Sequence, residues 1–161
     1  MEYLLLTQSG PDGKNQMILK DIGTIINTFD RCGNVIYKNF DDLSEFGYGN
    51  EIKNADTIVM VVPEWNGSIP YMLKQSIDQS GWPSFYKEKE IVLIGTCGGM
   101  ESTFEGISHL RHILKYVGAN VMPGDVFFNG LSKDLPKEHY RSETNYLTQL
   151  IKEICLTHIN D

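Results

Sequence analysis

One stretch, Ile58-Val59-Met60-Val61-Val62-Pro63-Glu64-Trp65-Asn66-Gly67-Ser68-Ile69-Pro70-Tyr71-Met72-Leu73-Lys74, constrains the fold more than any other. Five consecutive apolar residues without polar alternation describe a strand buried on both faces, as the strands of a parallel sheet are. Pro63 brings no N–H and helps stop the ladder, and Pro70 suits a first helical position. The segment therefore predicts strand, short polar loop and helix. In an α/β domain the loops beyond the carboxyl ends of the strands line the ligand crevice. Gly67 permits close backbone approach, Trp65 offers a broad aromatic face, and Asn66 an amide that both donates and accepts.

The rest of the chain repeats that grammar. Strands are predicted at about Tyr3 to Thr7, Val35 to Lys38, Thr57 to Val62, Ile91 to Gly95 and Asn120 to Phe128. Helices are predicted at roughly Lys14 to Asp30, Ile69 to Ser80, Ser102 to Val117 and Lys137 to Thr157. Between Asn39 and Ala55, Asp41-Asp42-Leu43-Ser44-Glu45 opens a short helix that Gly47 and Gly49 soon interrupt. Five strands separated by helices imply an α/β three-layer sandwich with right-handed crossovers, in one domain spanning residues 1–161. Counting elements does not fix the strand order. In the last helix Tyr146, Leu147, Leu150, Ile151 and Ile154 recur at helical spacing, the pattern of a face packed on the core.

Charge and cysteine usage exclude several classes of partner. The formal charge of −7 repels nucleic-acid backbones and anionic membranes. No apolar run approaches the roughly 20 residues of a membrane span, and Met1-Glu2-Tyr3-Leu4 lacks the basic start of a secretory signal. The expected location is the cytoplasm. Three separated cysteines, Cys32, Cys97 and Cys155, fit reduced thiols, and no Cys/His spacing describes a zinc site. His109 and His112, three apart without a nearby Glu, read as solvated or packed side chains, and Cys97, with no basic or thiol neighbour in sequence, as a small packing residue.

The segment Pro63-Glu64-Trp65-Asn66-Gly67-Ser68-Ile69-Pro70, followed by Leu73-Lys74 and Ile77-Asp78, resembles the isoalloxazine-binding loop of the NADPH-dependent FMN reductase family. Trp65 stands where the family usually has Tyr, and Tyr71 where it usually has Gly. Leu110, Arg111 and the run Leu114 to Ala119 are similar to the family's downstream Leu-Arg and Gly-Ala pattern, so the resemblance covers roughly Ala55 to Val121. It implies a flavodoxin-like fold with a five-stranded parallel sheet of order 2-1-3-4-5. It also implies FMN as cofactor, NADPH or NADH as electron donor, and a small-molecule acceptor such as a quinone, azo compound, metal species or free flavin. Homodimers or homotetramers are implied as well. The flavin performs the chemistry, so no catalytic side chain is required.

Three loops carry the expected cofactor contacts. Pro63, Glu64, Trp65, Asn66, Gly67 and Ser68 are expected at the ring, through main-chain and Asn66 hydrogen bonds and Trp65 contact, with Glu64 structural rather than catalytic. Cys97, Gly98 and Gly99, in the loop Thr96 to Ser102, approach the ring system. Ser9, Lys14 and Asn15, in the Gly-containing turn from Thr7 to Gln16, are expected at the phosphate, where free N–H groups and the positive end of the helix dipole converge. That turn departs from the family: counting back from Asn15 places Gln8, Gly10 and Gly13 where a Ser, an Arg and a second Ser are usual, and Asp12 opposes an anion. Two other readings follow from these features, a flavodoxin-like electron carrier and a family member in which flavin binding is weak or lost.

Overall fold

The computed structural model describes residues 1–9, 13–40, 42, 48–99, 104–131 and 141–159. Within these the chain runs β1 (Glu2–Thr7), α1 (Lys14–Phe29), β2 (Asn34–Asn39), α2 (Tyr48–Asn54), β3 (Thr57–Pro63), α3 (Tyr71–Asp78), β4 (Glu90–Thr96), α4 (Phe104–Tyr116), β5 (Asn120–Val121), β6 (Val126–Phe128) and α5 (Arg141–Ile159). The expected helix opening at Asp41 and Leu43 to Glu45, Gly10 to Asp12 of the first loop, Met100 to Ser102 of the third, and the first turn from Lys137 lie outside the described residues.

All strand pairings are parallel, in the order β2-β1-β3-β4-β5, with β6 also on β4. Alternation along each strand then sends side chains to opposite faces. Leu4, Leu6, Ile58, Met60, Val62, Ile91 and Leu93 meet α2, α3 and α4 through Ile52, Leu73, Ile77, Leu110 and Leu114. Their neighbours Tyr3, Leu5, Val59, Val61, Val92 and Ile94 meet α1 and α5 through Leu19, Ile22, Ile26, Ile151 and Ile154. Both faces are covered, which is why the strands read as unbroken apolar runs.

The expected fifth strand is divided. Ile91 pairs with Val121 and Ile94 with Val126, so two residues of β4 face the four residues 122–125. Met122-Pro123-Gly124-Asp125 cannot continue the ladder: Pro123 has no N–H, and Gly124 sits at φ +87°. Arg111 of α4 holds this excursion, donating to the carbonyl of Met122 at 3.0 Å and pairing with Asp125. Between β2 and β3, helix α2 includes Gly49 rather than stopping at it.

Parallel pairing brings Thr7, Pro63, Thr96 and Phe128 to one edge of the sheet. The chain leaves β1 for β2 on one side and enters β3 on the other, so the crevice between the two crossovers opens there.

Candidate functional site

Backbone hydrogen bonds beyond the strand ends shape that edge. Glu64 N–H donates to the Thr96 carbonyl at 3.0 Å and Cys97 N–H to that of Phe128 at 3.0 Å, so the sheet runs on into the loops. Leu131 N–H donates to Cys97 O at 2.9 Å and Gly130 N–H to Gly99 O at 2.6 Å, tying the segment after β6 to the loop after β4. Thr7 Oγ1 donates to Val61 O at 2.8 Å across the β1–β3 gap.

The resulting cleft has a volume of about 580 Å³ and is lined by Ser9, Gly13, Lys14, Asn15, Met17, Pro63, Glu64, Trp65, Thr96, Cys97, Gly98 and Leu131. Segments from all three anticipated loops therefore converge on one concavity of the size that holds a small ligand. Its two ends differ in chemistry.

At one end is the start of α1. Gly13 is the N-cap in extended conformation, it offers no side-chain cap, and the first turn carries no acidic residue. An uncapped helix start presents backbone N–H groups and a partial positive charge to whatever sits in front of it. Asn15 Nδ2 donates to Gln8 O at 3.2 Å, which fixes the loop after β1 against the helix.

At the other end stand Trp65, 41% exposed, the partly exposed Cys97 and the open Gly98, where an added Cβ would meet nothing within 4 Å. Thr96, 2% exposed, carries a buried hydroxyl with no hydrogen-bond partner. Glu64 is the one carboxylate among the described lining residues. Its Oε2 accepts the N–H of Gly106 at 3.1 Å in the first turn of α4, so it caps that helix from a distance.

The loop from Trp65 to Ser68 is a tight hairpin. Trp65 N–H donates to Ser68 O at 2.8 Å and Ser68 N–H to Trp65 O at 3.1 Å, while Asn66 and Gly67 adopt φ of +54° and +73°. Two central residues at positive φ describe a type I′ turn, for which Asn-Gly is the favoured pair. Asn66 and Gly67 are exposed at its tip and do not line the cleft. Ser68 faces a neighbouring groove, where its hydroxyl lies 3.3 Å from His109 Nδ1. Tyr71, 70% exposed, lines that groove as well and so leaves the cleft itself unobstructed.

Of the twelve residues expected from sequence, Ser9, Lys14, Asn15, Pro63, Glu64, Trp65, Cys97 and Gly98 line the cleft. Asn66, Gly67, Ser68 and Gly99 do not, and Gly99 instead directs its N–H to Cys97 Sγ at 3.3 Å. Sequence reasoning passed over Gly13, Met17, Thr96 and Leu131. Thr96 carried a signal, as a hydroxyl that ends an apolar run just as Thr7 ends β1, and Met17 lies one turn into the helix that follows the Gly-containing turn. Leu131 carried none, because only the tertiary path of the segment after β6 brings it there.

Comparison with known proteins gives this geometry its context. A relative from Listeria monocytogenes named FMN-dependent NADH:quinone oxidoreductase 2 is 33% identical over 102 residues, covering 52% of this chain and 48% of the relative. A quinone reductase of Escherichia coli is 36% identical over 90 residues, covering 50% and 44%. The chain thus spans about half the length of the curated relatives it matches. Among solved structures, an oxidoreductase from Corynebacterium diphtheriae has a TM-score of 0.79 at 14% identity, over 100% of this chain and 98% of the other. A flavodoxin from the domain Archaea has a TM-score of 0.71 at 16% identity, over 98% of each chain. These two likenesses concern the fold, which is flavodoxin-like. The family pattern of NADPH-dependent FMN reductases matches residues 25–133, more than half of the sequence, and the chain belongs to that family.

Proposed function

We propose that this protein is an FMN-dependent oxidoreductase that passes electrons from a reduced nicotinamide to a small quinone. The observation that carries the reading is the cleft itself, with an uncapped helix start at one end and an aromatic face beside a buried, unpartnered hydroxyl at the other. FMN has the matching asymmetry of a phosphate at one end and a flat polar ring at the other. The donor set fits it: Ser9, Lys14, Asn15 and the N–H groups after Gly13 suit the phosphate, while the segments Pro63 to Trp65 and Thr96 to Gly98 suit the ring.

When bound, FMN supplies the redox chemistry, taking hydride from the nicotinamide and passing electrons to the acceptor. The chain's own residues bind and orient. Lys14 places positive charge at the phosphate end. Pro63 and Trp65 give the ring an apolar wall, Thr96 Oγ1 offers a hydrogen bond to a polar ring atom, and Gly98 leaves room for the ring to approach the backbone. The names of the matched relatives support a quinone as acceptor and NADH as donor. A single domain over residues 1–161 is supported by the continuous sheet and by α5 packing on α1. Assembly as a homodimer or homotetramer and a cytoplasmic location complete the reading. Among the described residues no helix is long and apolar enough to cross a membrane.

The test is a titration of the purified protein with FMN, followed by oxidation of NADH and NADPH with benzoquinone as acceptor. Saturable binding with a perturbed visible spectrum and quinone-dependent NADH oxidation are expected. Absence of saturable FMN binding defeats the proposal. Bound FMN that can be photoreduced but stays oxidised with excess NADH and NADPH identifies an electron carrier instead.

A further inference from the structure

At the opposite end of the sheet, below the amino ends of β3 and β4, lies a second concavity of about 590 Å³. Lys53, Lys87 and Lys89 line it together with Trp82, Ser84 and Phe85, and no carboxylate is among its described lining residues. In a chain of net charge −7, three ammonium groups around one hollow make a local field of the opposite sign.

Two of these cations are held in place. Lys89 Nζ donates to the carbonyl of Ala55 at 2.9 Å and to that of Lys53, both at the end of α2. An ammonium has three donors, so one N–H of Lys89 is left over. Lys53 Nζ sits 4.1 Å from the centroid of the Phe85 ring, a cation–π contact that fixes the charge without neutralising it. Lys87 lies 3.4 Å from Glu88, and both are exposed, so water and salt screen that pair. Trp82 is 79% exposed. An indole left this open contributes little burial to the fold and presents a flat face beside the lysines.

We infer that this hollow is a binding site for a small planar aromatic anion, whose ring stacks on Trp82 and whose phosphate or carboxylate is taken by Lys53, Lys87 and the remaining donor of Lys89. The site is separate from the cleft, and the inference does not rest on the flavin reading. A nucleoside monophosphate and an aromatic carboxylate share the required chemistry.

The chain has two tryptophans, so Trp65→Phe makes Trp82 the sole indole reporter. That variant is titrated with AMP, with benzoate and with uncharged adenosine while indole fluorescence is followed. Saturable quenching by AMP or benzoate is expected, the more effective of the two identifying the anion class, with adenosine binding much more weakly. Adding Lys53→Gln or Lys87→Gln is expected to weaken binding about fivefold or more, and so is raising salt from about 0.05 to 0.5 M. Both lysines are surface residues whose replacement leaves the Lys89 contacts to α2 in place, and circular dichroism checks the fold. Quenching that never saturates, that adenosine matches, or that is indifferent to both substitutions overturns the inference.

Discussion

Asn66 shows how one residue type can serve two purposes that sequence does not separate. Its amide suggested a hydrogen bond to a ligand, whereas its φ of +54° inside the Trp65–Ser68 hairpin assigns it to the turn. Asn and Gly tolerate that conformation, and other L-residues there cost about 1–2 kcal/mol. Asn66→Gly is therefore expected to keep both stability and FMN affinity, while Asn66→Ala loses about 1 kcal/mol in chemical unfolding and loosens the placing of Trp65. If the amide itself bound ligand, the two variants would lose affinity alike, so an FMN titration of the pair decides. Glu64 gives a second residue-scale prediction. Its Oε2 accepts the Gly106 N–H at the start of α4, so Glu64→Ala is expected to cost about 1 kcal/mol, and Glu64→Gln, which keeps an acceptor oxygen, less than half of that. Urea unfolding of both variants measures it; equal losses would show that the charge alone matters. The turn was locally legible, since Asn-Gly favours a type I′ hairpin, whereas the role of Glu64 was not, because its partner lies 42 positions along the chain.

At the scale of elements, sequence was most informative where burial is two-sided. β1, β3 and β4 were visible as apolar runs, and the boundaries of α1 and α3 fell within about two residues of expectation because turns and prolines bracket them. The fifth strand failed for a physical reason that was present in the sequence. Pro123-Gly124 is turn chemistry, yet the apolar residues on either side, Val121 and Val126, both pair with β4 and mask the interruption. The excursion depends on Gly124 at φ +87°, where an added Cβ would also come within 2.3 Å of the Tyr146 hydroxyl. That hydroxyl ends a half-exposed side chain and can swing aside, so backbone strain is the term that persists. Gly124→Ala is expected to destabilise by about 1–2 kcal/mol. Combining it with Tyr146→Phe, which removes the obstructing oxygen, is expected to recover little of that loss in thermal unfolding. Full recovery in the double variant would place the cost in the side-chain clash instead.

The whole molecule places the cleft at the carboxyl end of the sheet and its buried titratable groups at the other end. The cleft occupies the carboxyl end, whereas Tyr3 at the start of β1, Cys155 of α5 against its hydroxyl, and Tyr86 ahead of β4 are buried near the amino end, in the two separate core layers. Burial pushes the Tyr86 hydroxyl up from 10.0 to about 12, against a smaller opposing effect of its contact with Ser76. Burial likewise raises Tyr3 well above the ordinary tyrosine range, reinforced by Cys155 and Asp30, and raises the Cys155 thiol. Each of these groups holds its proton more tightly folded than unfolded. Their contribution to stability is complete below the unfolded values of 9.0 for the thiol and 10.0 for the phenols, and is lost as pH rises through the folded ones. Above pH 10 the unfolded chain has released protons that the native state retains, so unfolding free energy falls by about 1.4 kcal/mol per pH unit for each such group. Urea midpoints measured from pH 7 to about 11.5 are expected to be flat at first and then to drop steeply. Tyr86→Phe keeps the ring in the core and forgoes a 3.3 Å contact with Ser76, so its stability near pH 7 changes by no more than about 1 kcal/mol while the alkaline slope declines by one proton. A slope unchanged by Tyr86→Phe would mean that this phenol titrates freely in the native state, and that the core layer beneath α3 opens before the protein unfolds.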